Sequence, residues 1–502
     1  MMFGRGIAAA TVLLAGATSN FVQEGRRNYE ANRFAEAAVH FQKAIQANPS
    51  DRNARLWLGY AYLALDDIEA ALRNLEPLRE SMSSDAEYLY AISEAYTRCA
   101  RRFSERIAEL GDRSARAHEI LAYRYQAVGQ PRSAVAELRQ AARLRPALAG
   151  VHLEAAEILW QEGQHDEAAA ELLTELRIAP KDFLSNLRYG QYLLRTRDYR
   201  NAIQFLTIAA GYRKYPEAYE LAAYAWEKLG RSEDQIAALR AGLHIFPDDA
   251  NLAEMYRRCL AENPSASTRK WSPPLLQEEA APNVPELRAA LARNPRDEDA
   301  MFSLSRVYSA KGRSFFEQLE RAAPGSYRVL QVKGLNAEYA EDFEQAASYY
   351  RQVAAEQPRL AGAHYSLGHV LRKLGEEEEG LAEIANELEI DPQNYMACYE
   401  LGSGWLGRGD AAQAVPMLRR ALALRPDFPE AKTDLAKAFV QLKQPGDAID
   451  ILKSVISKNP DHPTAHFLLY RAYAALGSAD LAKKELSIHQ ELLRIQRERN
   501  KQ

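Results

Sequence analysis

Apolar residues recur at spacings of three and four along nearly the whole 502-residue chain, the period that places them on one face of a helix. No sustained alternation of apolar and polar positions, the mark of a strand, interrupts that pattern. The helical stretches stop at prolines, as in Ala44-Ile45-Gln46-Ala47-Asn48-Pro49, Ala142-Arg143-Leu144-Arg145-Pro146, Ala421-Leu422-Ala423-Leu424-Arg425-Pro426 and Val455-Ile456-Ser457-Lys458-Asn459-Pro460. Proline lacks the backbone donor a helix needs and ends it. Pro146 to Pro180, Pro358 to Pro392, Pro392 to Pro426 and Pro426 to Pro460 are each steps of 34 residues. Turn signals such as Leu229-Gly230-Arg231, Leu374-Gly375-Glu376 and Leu476-Gly477-Ser478 split the period into two helices. The pattern predicts a repeat array in which each unit buries its apolar stripe only against its neighbours.

Units begin near residues 18, 52, 86, 115, 149, 183, 216, 250, 298, 327, 361, 395, 429 and 463. The unit at Tyr395 places Leu401-Gly402, Trp405, Ala414, Leu418, Ala421 and Pro426 at repeat positions 7, 8, 11, 20, 24, 27 and 32. The unit at Arg52 has Leu58-Gly59, Tyr62, Ala71 and Leu75 in the same places, and the unit at Phe183 has Tyr189-Gly190, Leu193, Ala202, Leu206 and Ala209. Small residues at positions 8 and 20 are expected where the two helices of a unit cross closely. This period and these residues resemble the tetratricopeptide repeat (TPR) family. The resemblance implies an all-α fold, a right-handed α-solenoid of about fourteen antiparallel helix pairs. It also implies that the first helix of each unit lines a concave, partner-binding face, chiefly through positions 2, 5, 9, 12 and 13. Carried onto this chain, those positions give Tyr60, Tyr90, Tyr123, Trp160, Gln191, Arg195, Tyr224, Tyr365, His369, Arg372, Tyr399 and Phe467. Tyrosines there suit peptide recognition, offering large area, few rotors and a hydroxyl. The lysine–asparagine clamp by which one subclass grips a C-terminal carboxylate is met in no unit.

Two units depart from the pattern. The unit at 86 is short, with its second helix expected through Phe103 and Ile107 to Leu110. The unit at 250 is interrupted after Leu260 by Pro264, Pro273, Pro274, Pro282 and Pro285, and a helix-like stretch resumes at Leu287. Many residues also recur 212 positions later, among them Tyr96 and Tyr308, Phe103 and Phe315, Ser114 and Ser326, and Gly190 and Gly402. Since 212 is not a multiple of 34, the repeat alone cannot produce this, and duplication of a block of about six repeats is expected. The expected organisation is a leader over 1–17, a first half of the array over 18–262 and a proline-rich loop or linker over 263–285. A second half over 286–486 and a capping helix with charged tail over 487–502 complete it.

Composition narrows the function. A formal net charge of −4 gives no chain-wide attraction to nucleic acid or anionic membrane. Three cysteines, Cys99, Cys259 and Cys398, make no disulfide framework or metal-type pair and are expected as packing residues. Arg5, the apolar run Ile7–Leu14 and Ala15-Gly16-Ala17 have the form of a signal peptide, so a periplasmic or secreted protein is expected, with a cytoplasmic one the alternative. No stretch is long and apolar enough to span a bilayer. Gly402-Ser403-Gly404-Trp405-Leu406-Gly407 spells a dinucleotide fingerprint but falls inside an expected helix, without the preceding strand that such a site needs. No catalytic, cofactor or metal motif is found. The expected function is a non-catalytic scaffold that binds proteins or peptide segments, in assembly of an envelope complex. The alternative is a regulatory array that recruits substrate for a carbohydrate-processing enzyme system.

Overall fold

The structure, a computed structural model, describes residues 19–263, 270–277 and 283–499. The expected leader therefore lies outside the described residues. Every regular element among them is helical, with no strand. They fall into two compact units: the described residues up to Leu65 with Asn74–Ala91 and Phe316 onward, and Asp66–Arg73 with Ile92–Phe315.

Within each unit antiparallel helix pairs follow one another. In the second unit Ala115–Ala127 pairs with Pro131–Leu144, Val151–Gln161 with His165–Ile178, Phe183–Arg195 with Tyr199–Gly211, and Glu217–Lys228 with Ser232–Ile245. In the first, the series runs from Tyr327–Tyr339 with Phe343–Glu356 to Pro463–Ala475 with Ala479–Arg499. One apolar cluster joins Phe183 to Cys259 and another joins Leu406 to Ala482, so burial passes from repeat to repeat.

Local chemistry accounts for the pairs. Each opens on a capping side chain where one is available: Asp51 accepts from the Ala54 amide at 2.9 Å, Asp182 from Ser185 at 2.7 Å and Asn394 from Ala397 at 3.0 Å. The first helix of a pair closes on one left-handed residue, filled by Gly163, Gly230, Gly375 or Gly477 in some repeats. Arg197, Glu341 and Lys443 hold the same turn at φ of 65°, 58° and 60°. The glycine at position 8 faces the side chain at position 24. A Cβ on Gly190 would lie 2.7 Å from Leu206, and one on Gly402 2.8 Å from Leu418. The close crossing expected at position 8 is real: in these two repeats the glycine meets the leucine at position 24, and in the repeat at 361 a Cβ on Gly368 would also lie 2.6 Å from the carbonyl oxygen of Gly380 at position 20.

At two places the expected helix pair is a single long helix. Ala86–Ala108 runs for 23 residues and Glu298–Ala322 for 25. No glycine or proline interrupts the first, and Gly312 sits buried within the second instead of marking a turn. The Gly402–Gly407 motif lies inside the Tyr395–Gly407 helix. Of the proline-rich segment, residues 270–277 form no helix, as expected, but they do not stand clear of the array. Trp271 meets the Tyr219 ring edge-on at 5.8 Å, and the Leu276 amide donates to the Gly211 carbonyl at 3.0 Å. Gly211 is required for this approach, since a Cβ there would sit 2.2 Å from the Pro274 carbonyl oxygen.

Candidate functional site

The first helices of successive repeats are tied by a bond from position 9 of one repeat to position 6 of the next, 31 residues on. The Tyr123 hydroxyl donates to Glu154, Arg188 donates to both oxygens of Glu157 at 2.7 and 3.1 Å, and His369 Nδ1 lies 2.6 Å from Glu400. Sequence reading selected Tyr123 and His369 but not the carboxylates they meet. A search for complementary residues 31 apart would have found them.

Three of the selected residues converge on Glu400, which is buried. Tyr365 donates to it at 3.0 Å, Arg372 at 2.9 Å, and His369 completes the set. Burial alone would raise the Glu400 carboxyl. The His369 bond and the charges of His369 and Arg372 outweigh it and hold the group below the ordinary carboxylate range. The same bond raises His369 above its ordinary value against the opposing effect of burial.

Tyr60 and Tyr90 stack at 6.4 Å, and the Arg328 guanidinium lies 5.3 Å and 4.3 Å from their ring centres and 4.7 Å from that of Tyr327. Glu87 neutralises it at 2.9 Å and accepts from the Tyr60 hydroxyl at 2.7 Å. Burial raises the Tyr60 hydroxyl well above its usual value. Burial would also raise Glu87, but the charge of Arg328 prevails and lowers it. Tyr60 is thus buried in the array itself, and this cluster is internally satisfied.

The second unit holds a cavity of about 470 Å³ walled by Tyr123, Gln126, Glu154, Glu157, Asp182 and Arg306. Burial raises both Glu154 and its neighbour Glu119, the latter to about 7. The cavity offers carboxylates, an amide, a phenol ring and an exposed guanidinium within one concavity. Elsewhere Gln191 accepts from Arg188 at 3.0 Å and donates to Glu217 at 2.6 Å. Trp160 is half-buried with its ring 4.7 Å from that of His165, and Tyr399 packs 4.8 Å from Phe428. Arg195 is exposed, and Tyr224 and Phe467 keep 39% and 37% of their surface in water, so these three present contact area directly. No helix among the described residues is long and apolar enough to cross a membrane.

Comparison with known proteins places these features in a family. Two family models, each described as a tetratricopeptide repeat, match residues 28–94, 406–455 and 440–490, and residues 120–183, 187–250 and 332–395. No curated protein matches the chain. Among solved structures, a MamA protein is similar at 22% identity over 33% of this chain and 91% of its own, with a TM-score of 0.32. MamA from Desulfovibrio magneticus RS-1 is 19% identical over 34% and 96%, with a TM-score of 0.31. YrrB, described as a TPR protein with an unusual peptide-binding site, is 18% identical over 35% and 91%, with a TM-score of 0.33. With its 34-residue helix pairs, its glycine-on-leucine crossings and both models matching along it, this chain belongs to the tetratricopeptide repeat family.

Proposed function

We propose that the chain is a non-catalytic scaffold that holds extended segments of partner proteins against the first helices of its repeats. TPR arrays generally mediate protein–protein interactions. The observation that carries the reading here is the cavity of about 470 Å³ around Tyr123, where donors, acceptors and an aromatic residue line one concavity. The exposed Tyr224 and Phe467 add apolar contact of the kind that anchors interfaces. The leader-like Arg5 to Ala17 supports export, and assembly of an envelope complex is the setting we favour over recruitment to a carbohydrate-processing system.

The test is site-resolved crosslinking in cells. A photo-crosslinking residue at position 123 or 126 should capture a discrete protein partner, identified by mass spectrometry. Substituting the exposed Arg306→Glu should abolish that capture while the helical circular-dichroism signal stays unchanged. Capture of free glycans or of sugar-processing enzymes alone would favour the recruiting reading instead.

A further inference from the structure

The two long helices pack against each other within the second unit, running antiparallel, and their contacts come in reciprocal pairs. Ser93 Oγ donates to the Gly312 carbonyl at 2.9 Å, and Ser305 Oγ donates to the Ala100 carbonyl at 3.1 Å. Adding 212 to the first donor and subtracting it from the first acceptor turns one bond into the other. The Tyr96 ring lies 5.9 Å from that of Phe315, and the Phe103 ring lies 6.2 Å from that of Tyr308, with interplanar angles of 11° and 15°. Tyr96 and Tyr308, themselves 212 apart, stack on each other at 5.8 Å and so mark the local two-fold axis.

The reciprocity continues where each helix begins. In the second unit Asp299 accepts from Arg116 at 2.8 Å, and Arg116 lies over the Phe302 ring at 4.2 Å. In the first unit Glu87 accepts from Arg328 at 2.9 Å, and Arg328 lies over the Tyr90 ring at 4.3 Å. Each long helix thus offers a carboxylate and a ring to an arginine from the other half of the sequence.

We propose that this seam is a homotypic pairing surface, a helix face matched to its own copy, and that Thr97 set against Gly312 fixes which helix meets which. The faces are identical at three contact positions, serine at 93 and 305, tyrosine at 96 and 308, and phenylalanine at 103 and 315. They differ at 97 and 309, threonine against serine, and at 100 and 312, alanine against glycine. A Cβ on Gly312 would come within 2.7 Å of Thr97 Oγ1 and 3.2 Å of the Ser93 carbonyl oxygen. Threonine cannot turn away, because its β-branch brings a methyl into the space its hydroxyl leaves. The two-fold sets Ala100 against Ser309, which has no such methyl. The difference is one of volume traded across the axis, with methyls on one helix and space for them on the other. A copy of the first helix placed opposite itself would set Thr97 against Ala100 and collide. The seam of one chain is therefore barred from pairing first helix to first helix with a second copy of this chain.

The experiment exchanges the differing residues in the full chain and reads the denaturation midpoint. Ser309→Thr with Gly312→Ala gives both helices the first face and should lower the midpoint, although alanine is the better helix former. Adding Thr97→Ser and Ala100→Gly completes the trade, placing a threonine opposite a glycine again on the other side of the axis. The four-residue variant should recover the wild-type midpoint. A four-residue variant that remains at or below the two-residue variant overturns the proposal, as does a two-residue variant that matches wild type. Should the two-residue variant fail to fold, recovery of a folded four-residue variant decides the matter by itself.

Discussion

Glu400 offers a sharp test of how the repeats are held. Its side chain is 8% exposed and accepts from His369, Arg372 and Tyr365, whose donors would all be left without that acceptor in Glu400→Ala. Truncating one partner of a buried ion pair costs about 3–5 kcal/mol. His369 and Arg372 keep 27% and 21% of their side-chain surface in water, which can take up part of the loss, so we expect ~3 kcal/mol. Glu400→Gln keeps an acceptor and removes the charge, and should cost about half as much. The charge also sets a pH dependence. His369 is raised in the folded state, so its contribution is complete below about pH 6.5 and is lost as pH rises through the folded value. Glu400 is lowered, so its contribution is complete above about pH 4.5 and is lost as pH falls through the folded value. The tie is therefore strongest between those limits. Urea midpoints at pH 5.5 and pH 8.5 for wild type and Glu400→Gln give the double difference, in which the remaining histidines cancel. Hydrogen exchange should place the lost protection in residues 363–407, since coupling in such arrays is local. An unchanged pH difference in Glu400→Gln, or protection lost evenly along the chain, would refute the reasoning.

Three further outcomes follow from packing and turns. Lys443→Gly and Arg197→Gly relieve a left-handed backbone and should each stabilise by ~0.5–1 kcal/mol, measured as a higher urea midpoint. Gly402→Ala forces a Cβ to 2.8 Å from Leu418 and should destabilise by about 1–3 kcal/mol in the same assay. Gly211→Ala should displace residues 270–277 while leaving the helices in place, seen as a shift in Trp271 fluorescence with unchanged helical circular dichroism.

The repeat period, the helix pairs, the turns and the glycine crossings were legible because each rests on local chemistry that recurs in register. The long helices were not. A periodic reading expects a turn near residue 100 and another near 312, and Lys311-Gly312-Arg313 looks like one. That glycine answers instead to a neighbour distant in sequence, Thr97, and only the folded chain brings them together. The docking of Trp271 was hidden for a similar reason, since prolines exclude a helix but leave open what the segment packs against. Family positions located Tyr365, His369 and Arg372 but could not reveal that all three serve Glu400. Tyr60 shows the same limit: its position is right for a groove, yet Glu87 in the next repeat and Arg328, far away in sequence, use it up.

Residues 212 apart separate what holds the array from what it shows to a partner. Glu175 accepts from the amides of Gly150 and Leu153, and Glu387 accepts from those of Gly362 and Tyr365, so at both places one buried carboxylate on a repeat's second helix caps the first helix of the same repeat. His152 with Glu171 and His364 with Glu383 repeat another tie, at 2.7 and 2.5 Å. These bonds keep their residues because the backbone geometry they satisfy is the same. On the first helices the bond survives but its polarity reverses. Glu157 meets Arg188, whereas at the equivalent positions His369 meets Glu400. Beside them Leu153 becomes Tyr365 and Trp160 becomes Arg372. Rigidity requires only that opposite charges meet, in either order, so the frame places no constraint on which side is acidic. On the scaffold reading, a partner segment laid along these helices meets the charges in the order the sequence sets. A segment fitted to Glu157 and Trp160 would then meet like charge and lost apolar contact at His369 and Arg372, which makes the two surfaces selective for different partner chemistry.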